Sequence, residues 1–237
     1  MTNSGILHLI PVGLSNNPID DWLPREVQRQ SASLTMYIAE NAKTARAFLK
    51  LVPLSHALQN IEIQTLSPKT DDSTIHQWLS PLAAGQSIGL VSEAGCPAVA
   101  DPGARVVCLA HDMGHVVKPW VGPSSIMLGL MASGLDGQRF AFHGYAPIKA
   151  EQRMKQLKQW EQLSARSSQT QILIETPYRN LAMFDSLLQA LGSRTKLCLA
   201  KDLTGPSEWI QTRTIQDWKK QAKPSLNDAP ALFLFQA

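Results

Sequence analysis

Cysteine is scarce in this chain: Cys96, Cys108 and Cys198 are the only three, and no pair has C-x-x-C spacing. An odd, scattered set argues against a disulfide framework and suits reduced, mostly buried thiols in a cytoplasmic protein. Long apolar runs are missing too. None reaches the ~18 residues of a membrane span, and "MTNSGILHLIPVG" lacks the basic start of a signal peptide. The expectation is a cytoplasmic chain with no membrane partner. Charge excess is small, with 22 Lys plus Arg against 19 Asp plus Glu, which permits a nucleic-acid partner without requiring one. No P-loop, H-E-x-x-H, or G-x-G-x-x-G with a following acid occurs. His111 and His115 are four apart, but Gly114 between them should end the helix and part the two rings, so no metal site is expected.

What is present is alternation. Short apolar runs such as "ILHLIPV" (6–12), "SLTMYIAE" (33–40), "QSIGLVS" (86–92) and "HVVKPW" (115–120) read as strands. Between them, helical spacing appears from Asn41 as N-cap, from Asp72 to Ala84, over "GARVVCLAHDMG" and over "PSSIMLGLMASG". Strand and helix in turn imply a parallel α/β sheet. Around 134–150 the grain changes to Gly, Pro and aromatic residues. We therefore expect an amino-terminal α/β domain over 1–135 and a carboxy-terminal domain over 136–237. The latter holds helices from Ala150 to Ser164 and from Tyr178 to Leu191. Its strands are "QTQILIE", "KLCLAKDL", "SEWIQTR" and "PALFLFQ", a mixed and partly antiparallel set.

The stretch "VSEAGCPAVADPGARVV" (91–107) stands between a strand and a helix, where ligands bind in open parallel sheets. Its small residues let a ligand approach the main chain, and its prolines hold the loop in shape. A tight strand-to-helix turn would have the same composition, so both readings stand at this level.

Read with its neighbours, "LVSEAGCPAVADPG" resembles the S-D-A-G-T-P-x-x-x-D-P-G signature of the tetrapyrrole methylase superfamily, in its branch of 16S rRNA cytidine 2′-O-ribose methyltransferases. "VGPSSIMLGLMASGL", "FAFHGYAP", "ILIETPYRN" and "AKDLT" are similar to that branch's later motifs, in the same order. The resemblance implies two α/β domains with S-adenosylmethionine in the cleft between them, usually in a homodimer. Carried over position by position, it implies cofactor contacts at Pro11, Leu14, Ala94, Gly95, Cys96, Val99, Ser124 and Ser125, and at Glu175 and Thr204 from the second domain. The chain also departs from the branch: "PVGLSNNPIDDW" matches its opening motif only loosely, Asn41 and Ala42 replace Asp and Thr, Cys96 replaces Thr, and Glu93 replaces Asp.

Methyl transfer from a sulfonium is an in-line displacement, so positioning outweighs strong acids or metals. A ribose hydroxyl nonetheless gains from a carboxylate that orients or deprotonates it. Glu40 and Glu93 are the catalytic candidates, while Asp101 reads better as a helix N-cap ahead of Pro102. Lys149, Arg153, Lys155 and Lys158 spread over several faces of one helix, which suits a solvated surface unless folding clusters them. Three readings follow. The first is an S-adenosylmethionine-dependent methyltransferase acting on RNA, in 16S rRNA or the 30S subunit. The others are a methylase of a tetrapyrrole or other small molecule, and a cofactor-binding protein without turnover.

Overall fold

The apolar runs of the first half fold as five short parallel strands: β1 (Ile6–Leu9), β2 (Met36–Ala39), β3 (Glu62–Thr65), β4 (Ile88–Val91) and β5 (Val116–Pro119). They pair in the order β3-β2-β4-β1-β5. Parallel neighbours need crossovers, and here these carry α1 (Arg25–Ser33), α2 (Ala42–Leu49), α3 (Asp72–Leu79) and α4 (Gly103–Asp112). The structure is a computed structural model and describes residues 4–237, so the first three residues of the amino-terminal stretch read above lie outside the described ones.

Strand alternation divides the apolar side chains between two faces. On one, Ile10, Tyr37, Ala39 and Val91 pack with Val27 and Ala32 of α1 and Phe48 and Leu49 of α2. On the other, Leu7, Ile38, Ile88 and Leu90 pack with Ile75 and Leu79 of α3 and Val106 and Ala110 of α4. Each buried Val, Leu, Ile or Phe among them stabilises the fold by about 1.5–3 kcal/mol in transfer terms. Gly89 lies in register beside Tyr37, whose buried ring occupies the space a Cβ would need.

Helix α1 had no counterpart in the sequence reading, because its mean hydropathy is low and its apolar stripe is thin. The helix expected from Asp72 to Ala84 is α-helical only to Leu79. It tightens into a 3-10 turn over Ser80–Ala84 at Pro81, which has no N–H to donate, and Gly85 closes it at φ +85°.

The second unit consists of α5 (Ser125–Ser133), β6 (Phe140–Tyr145), α6 (Ala150–Ser167), β7 (Thr170–Glu175), α7 (Asn180–Ala190), β8 (Lys196–Lys201), β9 (Trp209–Thr214), α8 (Ile215–Trp218) and β10 (Ala231–Gln236). Its sheet runs β6-β7-β10-β8-β9, with β6 and β7 parallel and the other pairs antiparallel, the mixed arrangement expected. Leu173, Leu197, Leu199, Phe233 and Phe235 form its core with Leu157 and Trp160 of α6, Phe184 and Leu187 of α7, and Trp218 of α8.

Compact packing divides the chain between Ser124 and Ser125, whereas the change in composition led to a boundary after residue 135. The difference is α5. Gly129 on that helix lies directly against Leu232 and Leu234 of β10, so α5 packs on the second sheet rather than closing the first. The thiols also differ from expectation in one case: Cys198 is buried and Cys96 half-buried, but Cys108 is exposed on α4.

Candidate active site

Strands β1 and β4 are neighbours, yet the chain leaves them in opposite directions, β1 toward β2 and β4 toward β5 on the far side of β1. Such a switch point opens a crevice at the carboxyl ends of the strands. The two loops that leave it are joined by main-chain hydrogen bonds: the Val12 N–H donates to the Gly95 carbonyl at 3.0 Å, and the Gly95 N–H to the Val12 carbonyl at 3.1 Å. This pairing brings Pro11 and Leu14 beside Ala94, Gly95 and Cys96. Gly122, in the loop after β5 that ends at Ser124, lies against the Pro11 ring.

The loop after β4 is strained and clasped. Gly95 sits at φ +72°, where a Cβ would meet the Leu14 side chain at 3.3 Å. Ala98 and Ala100 also have positive φ, +68° and +63°, which costs an L-residue about 1–2 kcal/mol each. The Asp101 carboxylate holds this path by accepting from the Ala98 N–H at 2.9 and 3.0 Å and from the Gly103 N–H at 2.6 Å. Burial pushes its pKa up, and these hydrogen bonds oppose the shift. Asp101 is therefore a loop clasp and not the N-cap expected of it: the N-cap residue is Pro102, which makes no side-chain cap bond. Ser92 Oγ donates to the Ala94 and Gly95 carbonyls, and Cys96 Sγ donates to the Pro123 carbonyl at 3.4 Å. Burial raises the Cys96 pKa, so the group stays a thiol that ties two loops together.

The two catalytic candidates lie at the ends of adjacent strands, Glu40 after β2 and Glu93 after β4. Glu40 Oε1 accepts from the Glu93 N–H at 3.3 Å. Asn41 Nδ2 donates to Glu93 Oε1 at 3.2 Å, while Asn41 Oδ1 accepts from the Lys43 N–H at 2.9 Å and caps α2 as expected. Burial raises the Glu40 pKa, and the charges of Asp101 and Glu93 raise it further, against the hydrogen bond from Glu93.

A buried group missed by the sequence reading stands beside this edge. His8 of β1 is almost wholly buried, and its Nδ1 accepts from Trp120 Nε1 at 3.0 Å with the two rings stacked. The Lys118 ammonium lies 3.8 Å from the Trp120 ring centroid. Burial, with the Lys118 charge adding to it, lowers the His8 pKa to about 4, so the imidazole is neutral. The sequence offers no signal for this trio, because the partners are 112 residues apart.

Within the second unit, Ser125 opens α5, Glu175 ends β7, and Thr204 sits in the loop after β8 at φ +66°. Glu175 is buried, 2.9 Å from the Arg179 guanidinium, and its other oxygen accepts from the Thr176 N–H at 2.9 Å. The Thr204 N–H donates to Glu208 Oε2 at 2.7 Å. Arg179 went unnoticed in the sequence, although it lies four residues after Glu175.

No protein-family model matches the chain. Curated relatives do. The chain is 31% identical over 216 residues to the ribosomal RNA small subunit methyltransferase I of Synechocystis sp., a match that covers 90% of this chain and 72% of that one. It is 37% identical over 138 residues to the protein of the same name from Mesorhizobium japonicum, covering 58% of this chain but only 46% of the relative. Among solved structures, the methyltransferase CobJ aligns over 99% of this chain and 95% of its own, with a TM-score of 0.63 at 16% identity, which is a likeness of fold.

Proposed function

The chain belongs to the ribosomal RNA small subunit methyltransferase I family, and from that premise we propose that it transfers the methyl group of S-adenosylmethionine to RNA, at a ribose 2′-hydroxyl of 16S rRNA in the 30S subunit, as a homodimer. The observation that carries the reading is the Val12–Gly95 main-chain pair at the switch point, which sets a clasped loop of small residues beside two carboxylates.

The residues at this edge suit the cofactor. Ala94 is exposed and Cys96 half-buried, and with such small side chains a ligand can come close to the main chain on the open side of this loop. Val99 and Val121, 48% and 73% exposed, offer apolar surface to an adenosine or a methionine chain. The carboxylates of Glu40, Glu93 and Asp101 favour a cation nearby. When bound, S-adenosylmethionine supplies an electrophilic methyl carbon on a cationic sulfur.

The task left to the protein is to aim the hydroxyl and take its proton. Alignment alone can lower such a barrier by ~7–11 kcal/mol. In this reading Glu40 is the base. Its Oε1 is held by the Glu93 N–H, its second oxygen can accept the ribose proton, and its raised pKa brings it closer to that of an effective base at neutral pH. Glu93, fixed by Asn41, orients Glu40 through its own main chain.

The test pairs calorimetric titration of S-adenosylmethionine and S-adenosylhomocysteine with tritiated-methyl transfer to 30S subunits and to free 16S rRNA. Micromolar cofactor binding with transfer to either RNA is the expected result. Cofactor binding with transfer only to a small molecule would replace the RNA substrate, and no cofactor binding would overturn the enzyme reading.

A further inference from the structure

Two neighbouring loops in the second unit hold aromatic side chains out in solvent. Strands β6 and β7 run parallel with Tyr145 in register with Ile174, and the loops after them adjoin, since the Arg179 guanidinium donates to the Ala146 carbonyl at 3.4 Å. Tyr145 is 55% exposed, Tyr178 76% and Ile148 77%. A soluble chain rarely leaves three such groups uncovered on adjoining loops unless something binds there.

The exposure is built into the fold. The pairing of β6 with β7 shifts register between Phe142 and Tyr145, and Gly144 lies there at φ +63°. A bulge of this kind re-aims the next side chain. Beyond it, the loop is anchored from below. Arg153, buried in α6, donates to the Pro147 carbonyl at 3.3 Å and the Ile148 carbonyl at 2.8 Å, while its Nε donates to Ser186 Oγ at 2.9 Å. Three successive carbonyls, 146 to 148, are thus taken by two arginines, so the main chain between Tyr145 and Lys149 is pinned by part-buried polar contacts. On the adjoining loop, Tyr178 sits in a 3-10 turn over Pro177–Arg179, whose end is fixed by the Arg179–Glu175 ion pair.

The charge next to the patch selects its partner. Lys149 follows Ile148 directly and is exposed, and the buried Glu175 carboxylate behind Tyr178 is matched by Arg179, so the loops themselves carry no unpaired acid. Aromatic faces combined with cations are the means by which proteins hold single-stranded nucleic acid, since every base has a π-face and every linkage a phosphate. We propose that Tyr145 and Tyr178 form a stacking platform for unpaired bases of the RNA substrate, with Lys149 at the adjacent phosphate. This rests on the RNA reading given above and deepens it: the substrate would be recognised as single-stranded or locally unpaired RNA, tolerant of sequence at these bases.

The test uses the full chain and a fluorescein-labelled oligouridylate of roughly 10 nucleotides, within the usual site size of such surfaces. Anisotropy is read for wild type, the Tyr145→Ala/Tyr178→Ala double variant, the corresponding double Phe variant and Lys149→Ala. An abasic oligomer of equal length is the control. The expected result is binding about 30-fold weaker in the double Ala variant, near wild type in the double Phe variant, and equally weak for the abasic oligomer on wild type. Lys149→Ala should lower the dependence of log affinity on log salt by about one. Unchanged oligouridylate binding in the double Ala variant would overturn the platform. So would a drop in oligomeric state by sedimentation with binding retained, which would make the patch a contact between copies. Methyl transfer to 30S subunits by wild type reads the RNA assignment separately: its absence alongside tyrosine-dependent binding would sink that assignment and leave the platform standing.

Discussion

Asn41 faces two ways: its side-chain oxygen accepts from the Lys43 N–H at the start of α2, and its side-chain nitrogen donates to Glu93 Oε1 at 3.2 Å. Where the resembling branch has an acid at both places, this chain has an amide and a longer acid, so an attraction replaces what would be a repulsion between like charges. Asn41→Asp would keep the cap, since the two residues serve equally at an N-cap. It would also set a fourth carboxylate beside Glu40, Glu93 and Asp101. The expected outcome is an unchanged melting temperature near neutral pH and a pH–rate profile of methyl transfer displaced about one unit to the alkaline side. An undisplaced profile would separate Asn41 from the ionisation of Glu40.

Glu40 sets the sign of that profile. Burial and the Asp101 and Glu93 charges raise its pKa, so the base form is lost sooner as pH falls than for a free carboxylate. Transfer should therefore rise with pH through the raised pKa and then level off. Glu40→Gln should retain cofactor binding, weakened only by the loss of one of three nearby carboxylates, and lose about 10²–10⁴-fold in rate, with the acid limb gone from what remains. If the Gln variant keeps the acid limb, another group carries it.

Gly95 joins the two loops through its main chain at φ +72°. Gly95→Leu adds left-handed strain of about 1–2 kcal/mol and drives a branched side chain toward Leu14 and the Pro123 carbonyl. The expected result is a cooperative melt at somewhat lower temperature with no calorimetric signal for S-adenosylmethionine. Intact cofactor affinity would move the pocket away from this loop.

The local parts of this fold were legible in the sequence, and the distant ones were not. Apolar runs marked four of the five strands of the first sheet, all but the half-exposed β3, and Asn41 marked the start of α2 because its cap is a bond to a residue two positions on. The order β3-β2-β4-β1-β5 follows from crossovers that no local pattern encodes. Helix α5 was assigned by continuity to the strand before it, whereas its place is set by Gly129 meeting Leu232 and Leu234 a hundred residues later. The composition of residues 91–107 pointed to a ligand loop or a tight turn. The strain at Ala98 and Ala100 and the Asp101 clasp emerge only when backbone angles are known.

His8 gives the fold a pH dependence separate from catalysis. Its folded pKa is about 4 against an ordinary 6.5, because the ring is buried and Lys118 lies near. Above pH 6.5 the imidazole is neutral in both folded and unfolded chains, and its contribution is fully present. As pH falls from 6.5 toward 4, the unfolded chain takes up a proton that the folded one refuses. Stability therefore drops, by at most about 3 kcal/mol from this group. His8→Gln keeps an acceptor for Trp120 Nε1 and cannot titrate. Its melting temperature should fall less between pH 7 and pH 5 than that of wild type, by several degrees at ~2–4 °C per kcal/mol for a chain of this size. An equal fall in both proteins would mean that the buried imidazole takes up its proton without cost, and that the acid sensitivity belongs to other groups.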